Sequence, residues 1–292
     1  MNLAERLKEP QILVCPGVYD AFSAKLVEQA GFEAAFVSGA GVSYSTLAKP
    51  DVGLVSLEEM VSRVRNIANA VSIPVIADGD NGHGSAINLM RTTELFEQAG
   101  ASAVQYEDQG FPKRCGHLNG KRLISAHEMA LKIESACQAR RQNDFLIIGR
   151  TDARSIEGLD AAIDRARTYY AAGADLIFVE SPLSVDELKR CVDALPNVPL
   201  VANMLEGGQT PLVGNQALEE MGYRIALWPN SLVRHFAFAG ATLLDRLRTQ
   251  GTTESLLAEM VDFPDLNEML GIREFAQLEA RFLPEISNQR HL

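Results

Sequence analysis

No run of basic residues occurs in this chain, and its formal net charge is −11. That pattern argues against a nucleic-acid partner. It equally disfavours docking on an anionic membrane. No apolar stretch reaches the about 18 residues that a membrane-spanning helix needs. The opening MNLAERLKEP lacks the apolar core of a secretory signal. Cysteine is scarce: the four stand at 15, 115, 137 and 191, with no CxxC pair and no zinc-like spacing to the five histidines. Free thiols in a chain of this length point to a reducing compartment, so cytoplasm is the expectation. Neither GxGxxG nor GxxxxGK[ST] follows any strand-like run, which leaves an open doubly wound sheet unsupported as the alternative fold. An acidic protein can still take an acidic substrate, provided a metal, an arginine or helix N-termini neutralise it locally.

One pattern repeats along the 292 residues. A helix-like segment ends at a glycine, and a short apolar run follows. Examples are LVEQAGFEAAFVSG from Leu26, LFEQAGASAVQYED from Leu95, YYAAGADLIFVES from Tyr169 and LEEMGYRIALWP from Leu218. The glycines at 31, 100, 173 and 222 fit helix C-terminal stops. Eight runs read as strands: 12–18, 34–39, 74–80, 103–108, 145–152, 176–181, 199–204 and 224–229. Most are nearly continuous apolar runs, as in strands covered on both faces. Helical segments separate most of them, which gives a single (β/α)8 TIM barrel. The chain is read as one domain, 1–292, in which 231–292 is a helical C-terminal extension beyond what a closed barrel needs.

The strand ends carry the chemistry. The third finishes Asp78-Gly79-Asp80, the fourth Glu107-Asp108, the fifth Arg150-Thr151-Asp152, the sixth Glu180-Ser181 and the seventh Asn203. In a parallel barrel these ends share one face, where barrel enzymes place their active sites. A polar residue at one strand end is a routine helix cap. Carboxylates at several ends of one rim repel unless a cation sits among them. The oxygen-only set of Asp78, Asp80, Glu107 and Glu180 suits Mg2+ or Mn2+ rather than zinc. Asp78 is expected closest to the ion, the others acting partly through water. The competing reading is that these acids merely pair with Arg150 or Lys113. Ser38-Gly39-Ala40-Gly41 allows close backbone approach to an anion, a weak signal alone.

Phe111-Pro112-Lys113-Arg114-Cys115-Gly116-His117 puts two cations, a thiol and an imidazole on a glycine-flanked loop after the fourth strand. Such neighbours are expected to lower the thiol's pKa, and such a loop to act as a lid. The bland alternative is an exposed basic turn with an incidental cysteine. Cys15, Cys137 and Cys191 read as small buried hydrophobes. His127 and His235 read as structural, and Trp228 and Phe236 as core or pocket wall.

Over nearly its whole length the chain resembles the isocitrate lyase/phosphoenolpyruvate mutase superfamily. The resemblance rests on PGVYDAFSA (16–24), FVSGAGVS (36–43), ADGDNGHG (77–84), YEDQGFPKRCGH (106–117), IIGRTDA (147–153), GLDAAIDRARTYYAAGAD (158–175), VES (179–181) and NMLEGGQTP (203–211). It implies that Asp78 anchors Mg2+, supported by Asp80, Glu107 and, through water, Asp51. It implies that Ser38, Gly39 and Ala40 hold a 2-oxo-acid carboxylate through backbone N–H groups. Arg150 would bind the oxyanion, with Glu180 and Asn203 completing the site. Lys113, Gly116 and His117 would contact substrate from the loop, and Cys115 would protonate the leaving carbanion. The implied assembly is a homotetramer whose eighth helix swaps between subunits. The loop cysteine separates the chain from phosphonate mutases. Leu118-Asn119-Gly120-Lys121, with Glu206-Gly207-Gly208, looks closer to 2-alkylmalate lyases, the petal death protein and carboxyphosphonoenolpyruvate mutases than to methylisocitrate lyases. Phe36 stands where methylisocitrate lyases carry tyrosine. The implied activity is Mg-dependent carbon–carbon cleavage of a 2-alkylmalate-type dicarboxylate. Oxaloacetate hydrolase, carboxyphosphonoenolpyruvate mutase-like and methylisocitrate lyase activities are the alternatives.

Overall fold

A computed structural model describes residues 2–117 and 120–283. Eight parallel strands close into a barrel in chain order. They are β1 (Leu13–Val18), β2 (Ala35–Val37), β3 (Val75–Asp78), β4 (Ala103–Glu107), β5 (Leu146–Thr151), β6 (Leu176–Val179), β7 (Leu200–Asn203) and β8 (Ile225–Trp228). β8 pairs back on β1, with Leu13 beside Ile225 and Pro16 beside Trp228. The helices are α1 (Leu3–Arg6), α2 (Ala21–Gln29), α3 (Gly39–Leu47), α4 (Leu57–Ala70), α5 (Ala86–Gln98), α6 (Ala126–Ala139), α7 (Arg154–Glu157), α8 (Leu159–Ala171), α9 (Val185–Ala194), α10 (Asn215–Met221), α11 (Ser231–Gln250), α12 (Phe263–Met269) and α13 (Ile272–Phe282). A 3-10 turn spans Glu254–Glu259.

Burial on two faces accounts for the uninterrupted apolar strands. Ile148, Phe178 and Ile76 belong to a cluster with Leu13, Ile225 and Leu3. Their chain neighbours Ile147, Ile177 and Ala77 join the larger cluster that includes helix residues such as Ile133 and Leu188. Adjacent strand residues point to opposite faces, so both must be apolar. Each fully buried Leu, Ile or Phe contributes about 1.5–3 kcal/mol. The expected glycine stops all have left-handed backbone: Gly31 at φ 83°, Gly100 at 92°, Gly173 at 104° and Gly222 at 106°. At helix starts, Asp20 and Ser56 close reciprocal side-chain caps on α2 and α4.

Two local expectations are corrected. The second strand ends at Val37 rather than 39, because Ser38 caps α3 and accepts a hydrogen bond from the Gly41 N–H. Beyond the barrel, α12 is an unforeseen helix. The described residues through His235 form one compact unit, and those from Phe236 onward form a second. In the second unit Phe236 is 66% exposed, neither core nor pocket wall as expected. His127 and His235 are exposed on helices. Among the described residues, no helix is long and apolar enough to cross a membrane.

Candidate active site

Parallel register brings the strand ends together. Asp78 closes β3, Glu107 closes β4 opposite Arg150 on β5, and Asn203 closes β7. These residues, with Ser38, Ala40, Asp51, Lys113, Cys115, Gly116, His117 and Glu180, line one cavity of about 40 Å3. Residues 113–117 form part of its wall together with the strand ends. Gly39 and Asp80 stand just behind. The Gly39 N–H donates to Asp78 Oδ2 (3.2 Å), and Lys113 Nζ reaches Asp80 Oδ1 (2.6 Å).

The charges form two groups. On one side Lys113 Nζ sits between Asp51 Oδ1 (2.5 Å) and Asp80 Oδ1 (2.6 Å). On the other, Arg150 donates through Nε and Nη2 to both oxygens of Asp152 (3.0 and 3.1 Å). The same guanidinium lies 3.1 Å from Glu180 Oε2 and 3.4 Å from Glu107 Oε2. It also sits over the Phe178 ring at 5.1 Å, a cation–π contact. Burial disfavours both cations, yet Asp80 and Asp51 hold Lys113, and Asp152, Glu107 and Glu180 hold Arg150, well above their ordinary pKa. Pairing with protein cations, the bland expectation for these acids, is therefore real, but it does not use up their oxygens.

Whether a metal fits is decided by the oxygens left over. Among the described residues Glu107 Oε1 is buried and accepts no hydrogen bond. Burial, then the Asp80 charge, pushes the Asp78 carboxyl up to about 6, against Lys113 and Arg150. Burial likewise raises Glu107 well above the usual carboxylate range. Carboxylates held so far from their preferred ionisation are stabilised by an additional cation. Among the described residues no group of three or more His, Cys, Asp or Glu side chains is placed to hold a metal ion by itself. A site with one or two protein carboxylates, completed by water and substrate oxygens, is the habit of Mg2+ rather than of zinc. The donor set is chemically compatible with such an ion.

Loop residues complete the cavity. The Gln209 N–H donates to His117 Nδ1 (3.0 Å), which leaves the ring proton on Nε2, 3.3 Å from Glu180 Oε1. Glu180 also accepts from Asn203 Nδ2 (3.2 Å) and from the Ser181 N–H (2.8 Å). Position 116 must be glycine: a Cβ there would lie 2.3 Å from Arg150 Nη2. Cys115 is half-buried and its N–H donates to Asp51 O (3.2 Å). The expectation of a lowered thiol pKa is overturned. Burial, with Asp51 and Glu180 adding, pushes the thiol up to about 11, because Lys113 spends its charge on two aspartates. A hydrogen bond from the His117 backbone and the charge of Arg150 oppose the rise only partly.

The phosphoenolpyruvate phosphomutase family pattern matches residues 3–247. The chain is 41% identical to 2,3-dimethylmalate lyase of Eubacterium barkeri over 97% of its own length and 99% of that protein's. It belongs to the phosphoenolpyruvate mutase/isocitrate lyase superfamily. A solved oxaloacetate acetylhydrolase in complex with the inhibitor 3,3-difluorooxalacetate superimposes with a TM-score of 0.91 at 32% identity, covering 95% of both chains. A phosphonopyruvate hydrolase solved with oxalate and Mg++ gives 0.88 at 30% identity, covering 97% of this chain and all, 100%, of that one.

This superfamily barrel holds site residues that the sequence did not single out. Asp152 clamps Arg150, and Lys121 reaches both Asp152 Oδ1 (3.1 Å) and Gly116 O. Asn230 Oδ1 accepts from Ser38 Oγ (3.0 Å), while Gln105 and Phe178 line the wall. Asp152 stood in plain view at a strand end, and Lys121 followed the cysteine loop. Gln105 and Asn230 carried no signal beyond being polar near a strand. Phe36 lies in the cavity wall as an apolar surface. Of the stretch after the loop histidine, Leu118 and Asn119 lie outside the described residues.

Proposed function

We propose that the chain is a divalent-metal-dependent carbon–carbon lyase that splits a 2-hydroxy dicarboxylate of the 2-alkylmalate type into a 2-oxo acid and a carboxylate. The observation that carries this reading is the Cys115 thiol lining the same cavity as Asp78, Glu107 and Arg150, with burial raising its pKa. Mg2+ is the proposed ion and Mn2+ the substitute, held by Asp78 and Glu107 with Asp80, Glu180 and Asp51 contributing through water. When bound, such an ion supplies Lewis acidity to the substrate's hydroxyl and carboxylate oxygens.

The protein's own groups do the rest. The first turn of α3 leaves N–H groups outside the helix ladder, and Ser38 and Ala40 line the cavity there, so that end, with Gly39, suits the 2-oxo-acid carboxylate. Arg150 stabilises the negative oxygen that develops at the second carbon. The hydroxyl proton passes to one of the rim carboxylates. The bond between the second and third carbons breaks, and its electron pair leaves with the third carbon. Cys115 Sγ–H delivers a proton to that carbon, which requires a thiol rather than a thiolate. His117 Nε2–H and the third N–H of Lys113 are the donors for the far carboxylate. Asn203 steadies Glu180, which in turn steadies Arg150.

Hydrolysis of oxaloacetate is the second reading, favoured by the 0.91 TM-score to the acetylhydrolase. The test is incubation with Mg2+ and a panel of 2-alkylmalates, methylisocitrate and oxaloacetate, scored for pyruvate, glyoxylate and oxalate. Release of a 2-oxo acid from 2-alkylmalates is expected. Oxalate from oxaloacetate alone would establish the hydrolase instead, and pyruvate from methylisocitrate alone the methylisocitrate reading. Cys115→Ser should lower turnover by about 10²–10⁴ with the melting temperature unchanged. Undiminished turnover would remove the thiol from the mechanism.

The proposed assembly is a homotetramer with exchanged helices. An apolar groove of about 480 Å3, lined by Val14, Leu26, Phe32, Trp228 and Leu232, supports it by leaving a helix-facing surface uncovered. Light scattering reads the subunit number. Cytoplasmic residence is part of the same proposal, with a small-molecule dicarboxylate as the substrate.

A further inference from the structure

The segment after β3, Asp78-Gly79-Asp80-Asn81-Gly82-His83-Gly84, carries the acids and turns sharply. Asp80 has φ 48° and His83 φ 56°, with Gly82 and Gly84 also positive, at 80° and 148°. Residues with a Cβ hold left-handed backbone only where their surroundings over-determine it. Most of the loop's carbonyls are held by hydrogen-bond donors. Gly79 O accepts from Gly82 N (2.9 Å), Asp80 O from Glu107 N (2.9 Å) and Gly82 O from Thr92 Oγ1 (3.1 Å). Asn81 O and Gly84 O both accept from one side chain, Lys132 on α6, at 2.5 and 2.9 Å.

Lys132 is an unusual group. It is 4% exposed, and its ammonium donates to the backbone carbonyls of Asn81 and Gly84 rather than to a carboxylate. A buried ammonium without a carboxylate is expensive, and burial pushes its pKa down against the opposing Glu128 and Glu107 charges. Its charge is spent on two carbonyl oxygens some fifty positions away in the chain. On this side the loop is not packed. A cavity of about 480 Å3, lined by Asn81, His83, Gly84, Ser85 and Phe111 as well as Lys132, gives it room to relax outward. Lys132 spans the two ends of the left-handed stretch and closes it like a staple.

We propose that Lys132 is a positioning residue for the metal-holding loop: its ammonium, by bridging Asn81 O and Gly84 O, sets the turn that presents Asp78 and Asp80 to the divalent ion. The inference rests on the metal reading above. It assigns to a helix outside the cavity a control over ion affinity, comparable to that of other outer-shell partners of metal ligands, about 10–100-fold.

The test is titration of the full-length protein with Mn2+, followed by electron paramagnetic resonance of free Mn2+, for wild type, Lys132→Met and Lys132→Gln. Methionine keeps the length and removes every donor; glutamine returns a neutral donor to one carbonyl. The expected result is a Kd for Mn2+ raised 10–100-fold in Lys132→Met and less in Lys132→Gln. Turnover at low metal should fall in parallel and recover when metal is raised, with the substrate KM at saturating metal unchanged. A variant that unfolds cooperatively near the wild-type temperature and binds Mn2+ as wild type does overturns the proposal. Should Lys132→Met fail to fold, Lys132→Gln decides by the same criterion. A wild type that binds no Mn2+ overturns the metal reading itself, an outcome distinct from equal binding by all three proteins.

Discussion

The two ends of the barrel interior obey opposite rules. At the start of the strands, Leu13, Ala103, Leu146, Leu176 and Ile225 meet beneath Leu3 of α1, all apolar and almost wholly buried. At the other end of the same strands, Asp78, Glu107 and Arg150 meet out of solvent, with Asn203 half-buried beside them. The floor is stabilised by removing carbon from water. The rim buries charges whose desolvation is only partly offset by their pairing. Stability and chemistry are thus separated by the length of a strand of four to six residues.

The separation can be attacked first at the rim. Arg150→Met leaves Asp152, Glu107 and Glu180 facing one another without their shared cation. The expected loss is at least about 10³ in turnover together with roughly 3–5 kcal/mol of stability, because a buried pair is broken from one side. Arg150→Lys should recover stability before activity, since an ammonium keeps charge but not the planar fork onto Asp152. Chemical denaturation and steady-state kinetics on both variants check this. A fully active Arg150→Met would mean the rim cation is only structural filler.

At the floor the opposite signature is expected. Ile225→Ala opens a hole beside Leu13 and should cost about 2–5 kcal/mol, seen as a melting temperature lower by roughly 5–15 °C. Turnover per folded molecule should stay at the wild-type value. A kinetic defect at permissive temperature would show that floor and rim are not separable.

The same contrast explains what could be read without coordinates. Strands betray themselves because both faces are buried, so Ile147-Ile148 and Ile177-Phe178 run on without a polar break. Asp78, Glu107 and Arg150 were legible because parallel topology forces strand ends together. Pairings across the chain were not. Lys121 finds Asp152, and Asp108 collects Thr151 Oγ1, Tyr169 OH and Arg165, at separations from 31 to 61 residues. Nothing local marks such partners. The rise of the Cys115 pKa is illegible for a related reason: sequence shows which charges are near, but not that two aspartates have already claimed Lys113 or that the thiol is largely covered. The helix α3, GAGVSYSTL, is rich in glycine and serine and poor in helix formers, so only its buried site, with Gly39 to Ser43 all inside, makes it helical.

The smallest effect concerns the hinge between rim and loop. Lys121 donates to Gly116 O on the loop and to Asp152 Oδ1 at the rim, with side chains 2% and 0% exposed. Its removal leaves Arg150 to hold Asp152 alone and frees the loop carbonyl. Cys115 reports the result. A thiol raised to about 11 by burial stays protonated at neutral pH, so its alkylation by iodoacetamide should quicken about tenfold per pH unit up to that value. In Lys121→Met the loop should lift, burial should fall, and the thiol should titrate nearer its ordinary value of about 8.5. Alkylation at pH 8 would then run roughly 10–200-fold faster than in the wild type, with a pH profile that levels off earlier. Identical profiles in the two proteins would place the closing force elsewhere, in His117 and its contact with Gln209, and would make the Lys121–Asp152 pair a consequence of closure rather than its cause.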